Sequence, residues 1–356
     1  MSIKATSNRF SEKTVRYYFD AAFADLETIV SKDRTILVTD ENVYAAHAAI
    51  FTGWKIIIIK AGEQFKQQAA VDFVIGQLIN LQADRDTFIV GVGGGVVTDI
   101  TGYAASVYMR GVKFGFVPTS ILAMVDAAIG GKNGVDVGPF KNLVGLIKQP
   151  DFLLFDYALL QTLPAEQWVN GFAEIIKHAC IKDAALFELL EQNEITAFQL
   201  DTVLLSNLIE RNVLIKTTIV VSDEFEKGER KLLNFGHTLG HAIENTYQLL
   251  HGHAVSIGMV AACNISEEIN QFDSAEKARV IKLIAKYHLT TALAIDKDKI
   301  WKLLTMDKKR VSNEMSFILL NKIGEGVVHP IPMVQLEHLI SNCLPVPAKQ
   351  EGTLKA

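Results

Sequence analysis

Residues 87–100 read TFIVGVGGGVVTDI, and this stretch decides the fold. Its first six residues are apolar, β-branched or glycine, the pattern of a strand buried on both faces. Gly91, Gly93, Gly94 and Gly95 put four glycines into five positions, and helical character follows over 97–108. A strand that passes through a glycine loop into a helix is the entry unit of a parallel α/β sheet. Such a loop lets backbone N–H groups approach phosphate oxygens at the positive end of the helix. The spacing is neither GxGxxG nor a GK[ST] loop, since the last position of the six-residue frame is Val96 or Thr98. A tight turn is the plainer reading, but four glycines exceed what a turn requires, which favours phosphate binding.

Outward from this stretch, 35–39 (TILVT), 55–60, 113–117 (KFGFV) and 152–155 (FLLF) have the same strand texture. Helical patterns at 41–50 and 67–82 lie between them, so strand and helix alternate and imply a parallel sheet with right-handed crossovers. After Leu163-Pro164 the period becomes helical, over 166–182, 184–192, 200–222, 237–249, 254–271, 274–287 and 298–305. A hairpin is expected from 315–320 and 326–328, and a frayed tail at the C-terminus. The expected fold is an α/β N-terminal domain with a parallel Rossmann-like sheet over 1–163 and a mostly α-helical C-terminal domain over 164–356.

A chain of 356 residues suits two domains, and 49% hydrophobic with 21% charged residues is ordinary globular composition. A net charge of -5 argues against nucleic acid or an anionic membrane as the main partner. No apolar N-terminal core and no run of 18 apolar residues is present, so neither a signal peptide nor a membrane span is expected. Cys180, Cys263 and Cys343 are scattered without CxxC spacing, as in a cytoplasmic protein with reduced thiols.

Several clusters carry candidate chemistry. Asp40 ends the first strand, where a carboxylate either binds ribose hydroxyls or caps the following helix; the cap is the simpler reading. Arg110, Asp126, Lys132, Lys141 and Asn142 fall within a glycine-rich segment, either an anion site or a solvated loop. Glu174 and Lys177 share a helix face at i, i+3, as an ion pair or as part of a site. Lys216, Asp223, Glu226, Arg230 and Asn234 lead into LLNFGHTLGHAIENTYQLLHGH at 232–253, which holds His237, His241, His251 and His253. His237 and His241 lie one helical turn apart, and two His with a Glu form a known zinc set. Asp307–Arg310 reads as a solvated charged face.

Together these strings resemble the 3-dehydroquinate synthase family, a group of sugar-phosphate cyclases. The resemblance runs from about residue 35 to 320. It is carried by AGEQFK (61–66), GGGVVTD (93–99), Arg110-Gly111, VPTS (117–120), VDAAIGGK (125–132), KN (141–142), TLP (162–164), GFAEIIK (171–177), DEFEKGERKLLNFGHTLGHAIE (223–244) and LHGHAV (250–255). Thr98 stands where the family often has Gly, and His253 where Glu is common.

The resemblance implies an NAD-binding domain, a metal domain, an active site between them and a homodimer. It places the metal, Zn2+ or Co2+, on Glu174, His237 and His251. It places NAD on Asp40, Asn42, Glu63, Lys66, Gly94, Gly95, Val96, Asp99, Thr119, Ser120, Lys132, Lys141 and Thr162. It places the substrate on Arg110, Asp126, Lys132, Asn142, Lys177, Lys216, Arg230, Asn234 and His241, with Lys308 or Lys309 at the phosphate. The implied substrate is a small sugar phosphate, 3-deoxy-D-arabino-heptulosonate 7-phosphate, converted to 3-dehydroquinate and phosphate in the shikimate pathway. Alternatives are 2-deoxy-scyllo-inosose synthase, 2-epi-5-epi-valiolone synthase, a polyol dehydrogenase and a non-catalytic nucleotide-binding protein. The many cationic residues argue against a neutral polyol.

Overall fold

The computed structural model describes residues 3–138, 140–306 and 313–344. Two compact units are present, Met1–Ile175 with Ile195–Arg230 and Ile176–Glu194 with Lys231–Ala356. Compactness therefore does not follow the linear order of the chain.

The first unit carries the strands β1 (Lys4–Arg9), β2 (Thr14–Phe19), β3 (Thr35–Asp40), β4 (Lys55–Ile59), β5 (Phe88–Gly93), β6 (Lys113–Pro118), β7 (Lys132–Val137), β8 (Phe140–Ile147) and β9 (Phe152–Leu154). Seven of them form one sheet in the order β1-β2-β9-β6-β5-β3-β4. β1 and β2 are antiparallel, and the remaining pairs are parallel. β3 continues outward to β4, whereas β5 continues the other way to β6, so the strand order reverses between β3 and β5. Ligands bind open α/β sheets beyond the carboxyl ends of strands at such a reversal. Asp40 and Gly93 stand at those two ends.

The central strands form because their apolar residues have both faces to bury: Ile36, Leu37, Val38, Ile89, Val90 and Val92 are all buried. The helices of this region are α1 (Leu26–Ile29), α2 (Glu41–His47), α3 (Gln68–Asn80) and α4 (Gly95–Val107). β7 and β8 pair as a separate antiparallel hairpin. Gly102 of α4 lets this hairpin come close, because a Cβ there would stand 1.8 Å from Asn133 Oδ1.

α5 (Ala165–Lys182) is continuous and contributes residues to both units. α6 (Ala184–Gln192) belongs to the second unit, and α7 (Ile195–Leu200) and α8 (Thr202–Ser222) to the first. α8 is locked to the sheet by Thr217, whose hydroxyl donates to Tyr17 OH at 3.2 Å.

The second unit continues with α9 (His237–Tyr247), α10 (His251–Asn270), α11 (Ser274–Lys286), α12 (Lys297–Met306), β10 (Glu314–Lys322), β11 (Glu325–Pro332) and α13 (Met333–Cys343). α10 is its core helix, buried nearly all round from Ala254 to Ser266. It packs against α9 with backbone almost touching backbone. Gly236, at φ +78°, precedes α9, and a Cβ on Gly258 would lie 2.0 Å from Gly236 O. This close crossing brings the first turns of the two helices together.

The sequence reading omits β1, β2, α1, the β7–β8 hairpin, α7 and α13. β1 is an edge strand of polar residues, and β2 alternates exposed and buried positions with Arg16 and Tyr17 adjacent. The hairpin is rich in Lys, Asn and Gly, which reads as loop. α10 also begins at His251, three residues before the expected start, so His251 is its first residue. Lys308, Lys309 and the rest of the 307–310 charge run, like the tail beyond 344, lie outside the described residues.

Candidate active site

At the sheet reversal, Asp40 caps α2. Its Oδ1 accepts the N–H groups of Asn42 and Val43 at 2.9 and 3.0 Å. Burial raises the Asp40 carboxyl, and these two bonds pull it back. α4, by contrast, has Gly94 at its N-cap and no side-chain cap. Gly94, Gly95 and Val96 therefore present a first turn whose N–H groups are available to an anion. The loop is held by Thr119, whose N–H donates to Gly93 O at 2.9 Å. Ser120 caps the next turn, accepting Ala123 N–H at 3.2 Å. A Cβ on Gly95 would meet Ala127 Cβ at 3.2 Å. The loop is thus a cradle that side chains would fill, and its residues fit the pyrophosphate of a dinucleotide. Thr162 lies beside α2, its hydroxyl 2.6 Å from His47 Nε2. Asn42 is exposed on α2.

Lys66 and Asp99 form the buried hub of this region. Lys66 Nζ stands 2.5 Å from an Asp99 carboxylate oxygen and 2.5 Å from Asn142 Oδ1. Burial would lower Lys66, but Asp99 and Glu63 more than offset it and hold the ammonium protonated well above its ordinary value. Asp99 is pushed up to about 6 by burial, with Lys66 pulling it down. Asp136, which the sequence reading does not single out, accepts Asn142 N–H at 2.7 Å. Asn142 holds a left-handed backbone at φ 53° to make this contact. Lys141 pairs with Glu63 at 3.5 Å.

A second group belongs to the same unit. Asp126 sits in a π-helical turn, Ala123–Ala127, a form that recurs at functional sites. Lys216 of α8 donates to its Oδ1 and to its backbone carbonyl, both at 2.7 Å. Lys132 pairs with Glu226. Arg230 is buried, with Nη2 donating to Gly130 O at 2.9 Å and Nη1 to Glu224 O. Burial lowers the Arg230 guanidinium, and Glu226, Asp126 and Asp223 counter it. Lys216 also acts on Asp99, which links the two groups electrostatically. The sequence suggests cations awaiting anions, whereas the structure pairs Lys66, Lys132 and Lys216 each with a carboxylate. Arg110 is exposed, at the end of a turn where Met109, Arg110 and Gly111 have φ of 49°, 67° and 115°.

Glu174 and Lys177 lie one turn apart on α5, and both side chains are buried. Asn234 ends a 3₁₀ turn, Glu229–Asn234, that also carries Arg230.

In the second unit the histidines converge. The His237 ring lies 5.3 Å from that of His241 and 5.2 Å from that of His251, centre to centre. His237 Nδ1 donates to Phe235 O at 3.2 Å, and His251 Nδ1 stands 3.3 Å from a Glu244 carboxylate oxygen. A carbonyl only accepts, so this bond puts the His237 proton on Nδ1 and leaves Nε2 as the nitrogen a metal could take. A second ring nitrogen bonded to carbonyl or carboxylate is the usual support of a metal-bound imidazole. His237 and His251 therefore fit a zinc-like ion. His253 has a separate role: its Nδ1 is 2.9 Å from Thr290 Oγ1, anchoring the start of α10 to the segment after α11.

Glu244, Asp136 and Glu226 as the partner of Lys132 are absent from the sequence-based site. Glu244 was detectable, since His237, His241 and Glu244 at i, i+4 and i+7 form one stripe on α9.

A family model described as 3-dehydroquinate synthase N-terminal matches residues 56–170, and one described as 3-dehydroquinate synthase C-terminal matches 171–310. A 3-dehydroquinate synthase from Campylobacter curvus (strain 525.92) is 35% identical over 330 residues, covering 90% of this chain and 94% of that protein. Among solved structures, a 2-epi-5-epi-valiolone synthase from Streptomyces hygroscopicus subsp. jinggangensis 5008, with NAD+ and Zn2+ bound, is similar. Its TM-score is 0.83 at 26% identity, covering 96% of this chain and 99% of that one. A 2-deoxy-scyllo-inosose synthase complexed with carbaglucose-6-phosphate, NAD+ and Co2+ has a TM-score of 0.82 at 24% identity, covering 96% and 100%, a likeness of fold.

Proposed function

The chain belongs to the 3-dehydroquinate synthase family, and on that basis we propose that it converts 3-deoxy-D-arabino-heptulosonate 7-phosphate into 3-dehydroquinate and phosphate. NAD and a divalent metal are its cofactors. Residues 1–163 serve NAD and supply part of the substrate site, and 164–356 serve the metal and supply the rest of it. The observation that carries the reading is the charged set beside the glycine loop: Lys132, Lys216 and Arg230 with Asp126 and Glu226. A substrate bearing both a phosphate and a carboxylate needs fixed cations, whereas a neutral polyol does not.

Glu174, His237 and His251 would hold the metal, which would lower the pKa of the hydroxyl to be oxidised and polarise the ketone, and bound NAD would supply the hydride chemistry. The chain's own residues do the rest. The first turn of α4 and Thr119 hold the pyrophosphate, while the Lys66–Asp99 pair fixes the floor beneath it. Asn42, Asp40, Glu63, Lys141 and Thr162 orient the remaining nucleotide. Lys132, Arg110, Asn142, Asn234 and Arg230 hold the anionic groups of the substrate. Lys177 and Lys216 add further cations for the phosphate and carboxylate, Lys216 being oriented by Asp126. His241 relays a proton at a substrate hydroxyl, and the leaving phosphate itself removes the acidified C–H proton.

We place the protein in the cytoplasm; its three cysteines are free thiols, and no described helix is long and apolar enough to cross a membrane. A homodimer is supported by Phe140, Leu143, Val144 and Ile147, apolar side chains exposed on β8 that association would cover. Product analysis tests the function. Equal amounts of dehydroquinate and phosphate support it; turnover only of sugar phosphates lacking a carboxylate would assign another cyclase activity.

A further inference from the structure

The structure assigns Glu244 as a positioning residue for the metal: its carboxylate accepts a hydrogen bond from Nδ1–H of His251 and so leaves Nε2 as the ligand. This rests on the metal reading above. Glu244 lies on the α9 stripe with His237 and His241, and its side chain is 6% exposed against 25% for His251. The carboxylate is the more buried partner, and its contact with Nδ1 leaves Nε2 as the ring nitrogen open to a metal. The separation of 3.3 Å is a long hydrogen bond, just beyond the usual N–H···O range. His237 is held in the same way by Phe235 O, at 3.2 Å. Both imidazoles of the proposed ion thus have Nδ1 satisfied from within the second unit. A neutral, correctly tautomeric imidazole is the form a metal requires. The charged carboxylate adds basicity to His251 that a carbonyl does not supply. One rival exists in the same geometry. Ligand atoms of His241, Glu244 and His251 lie within 4.8 Å of one another, so Glu244 could bind the ion directly.

Titration of the metal-free protein with Co2+, followed by its visible absorption, separates these. Glu244→Ala is expected to weaken Co2+ binding about 10- to 100-fold while leaving the spectrum of the saturated site unchanged. Glu244→Gln, which can still accept the hydrogen bond from Nδ1–H, is expected to fall between it and the parent protein. In the metal-free state, ring ¹⁵N shifts of His251 are expected to lose their single tautomer in Glu244→Ala. Unchanged affinity in both variants overturns the assignment, as does a changed spectrum, which would make Glu244 a ligand. If Glu244→Ala does not fold, Glu244→Gln decides alone: weaker binding with the same spectrum supports the role, and unchanged binding refutes it. Glu174→Ala is run alongside. Full Co2+ binding by that variant would refute the metal reading itself, independently of Glu244.

Discussion

Lys66 and Asp99, a residue of α4, form a largely buried ion pair with 2.5 Å between Nζ and the carboxylate. The two charges are unequal in comfort. Burial pushes Asp99 up to about 6 in spite of its lysine, whereas Lys66 stays firmly protonated. A carboxyl raised in the folded state contributes stability below its unfolded pKa and loses that contribution as pH rises through about 6. Lys66→Met removes the cation and drives Asp99 higher still. The variant is expected to lose about 3–5 kcal/mol at pH 8, where the carboxylate would be buried unpaired. The loss is expected to shrink at pH 5, where Asp99 takes a proton. Urea unfolding at the two pH values checks this; an equal loss at both would show that the pair is not the source.

The α9–α10 crossing offers a second test. Gly258→Ala puts a methyl group 2.0 Å from Gly236 O, a backbone atom that can give way only by separating the helices. The expected cost is about 1–3 kcal/mol or more in thermal unfolding, because overpacking a rigid contact forces backbone shifts. Weaker metal binding should accompany it, since the same crossing sets the 5.2 Å spacing of the His237 and His251 rings. Gly76, where a Cβ meets nothing within 4 Å, is the control: Gly76→Ala is expected to be neutral or slightly stabilising.

The histidines are expected to divide their work. Metal analysis of purified variants should find Glu174→Ala and His251→Ala depleted and His241→Ala loaded. His241→Ala should nevertheless lose about 10²- to 10⁴-fold in kcat, the usual contribution of a positioned proton-transfer group. Metal loss in His241→Ala would make it a ligand and overturn the division.

Lys216 and Asp126 should behave as a unit. Lys216→Met and Asp126→Asn are each expected to lower kcat/KM about 10²-fold or more, the scale of one preorganised charged contact. Their double variant should fall little below either single one, because each change already dismantles the same pair. Additive losses would show that the two residues act separately on the substrate.

Much of this was legible in the sequence, for reasons that differ by element. β3 and β5 are buried on both faces, so their apolar runs are contiguous and announce themselves. The Gly93–Gly95 loop and the His237/His241 pair carry local spacing, and local spacing survives in one dimension. β1 and the β7–β8 hairpin do not, because an edge strand and an exposed hairpin carry little apolar alternation. Partner identity is also invisible locally. Lys132 finds Glu226, and His253 finds Thr290, only once the chain has folded. The sequence therefore suggests cationic side chains open to anions, and the structure adds the carboxylates that hold them in place. Asp40 shows the converse: the simpler of its two readings, a helix cap, is what the backbone of α2 uses.

The central claim is that the chain oxidises and re-reduces one substrate while eliminating its phosphate. The most direct measurement is phosphate released per NAD+ when purified, metal-loaded protein receives 3-deoxy-D-arabino-heptulosonate 7-phosphate and less NAD+ than substrate. Many phosphates per NAD+, with no NADH accumulating, is the result expected. One NADH formed for each substrate consumed, with the phosphate still attached, would contradict the account and make the protein a dehydrogenase.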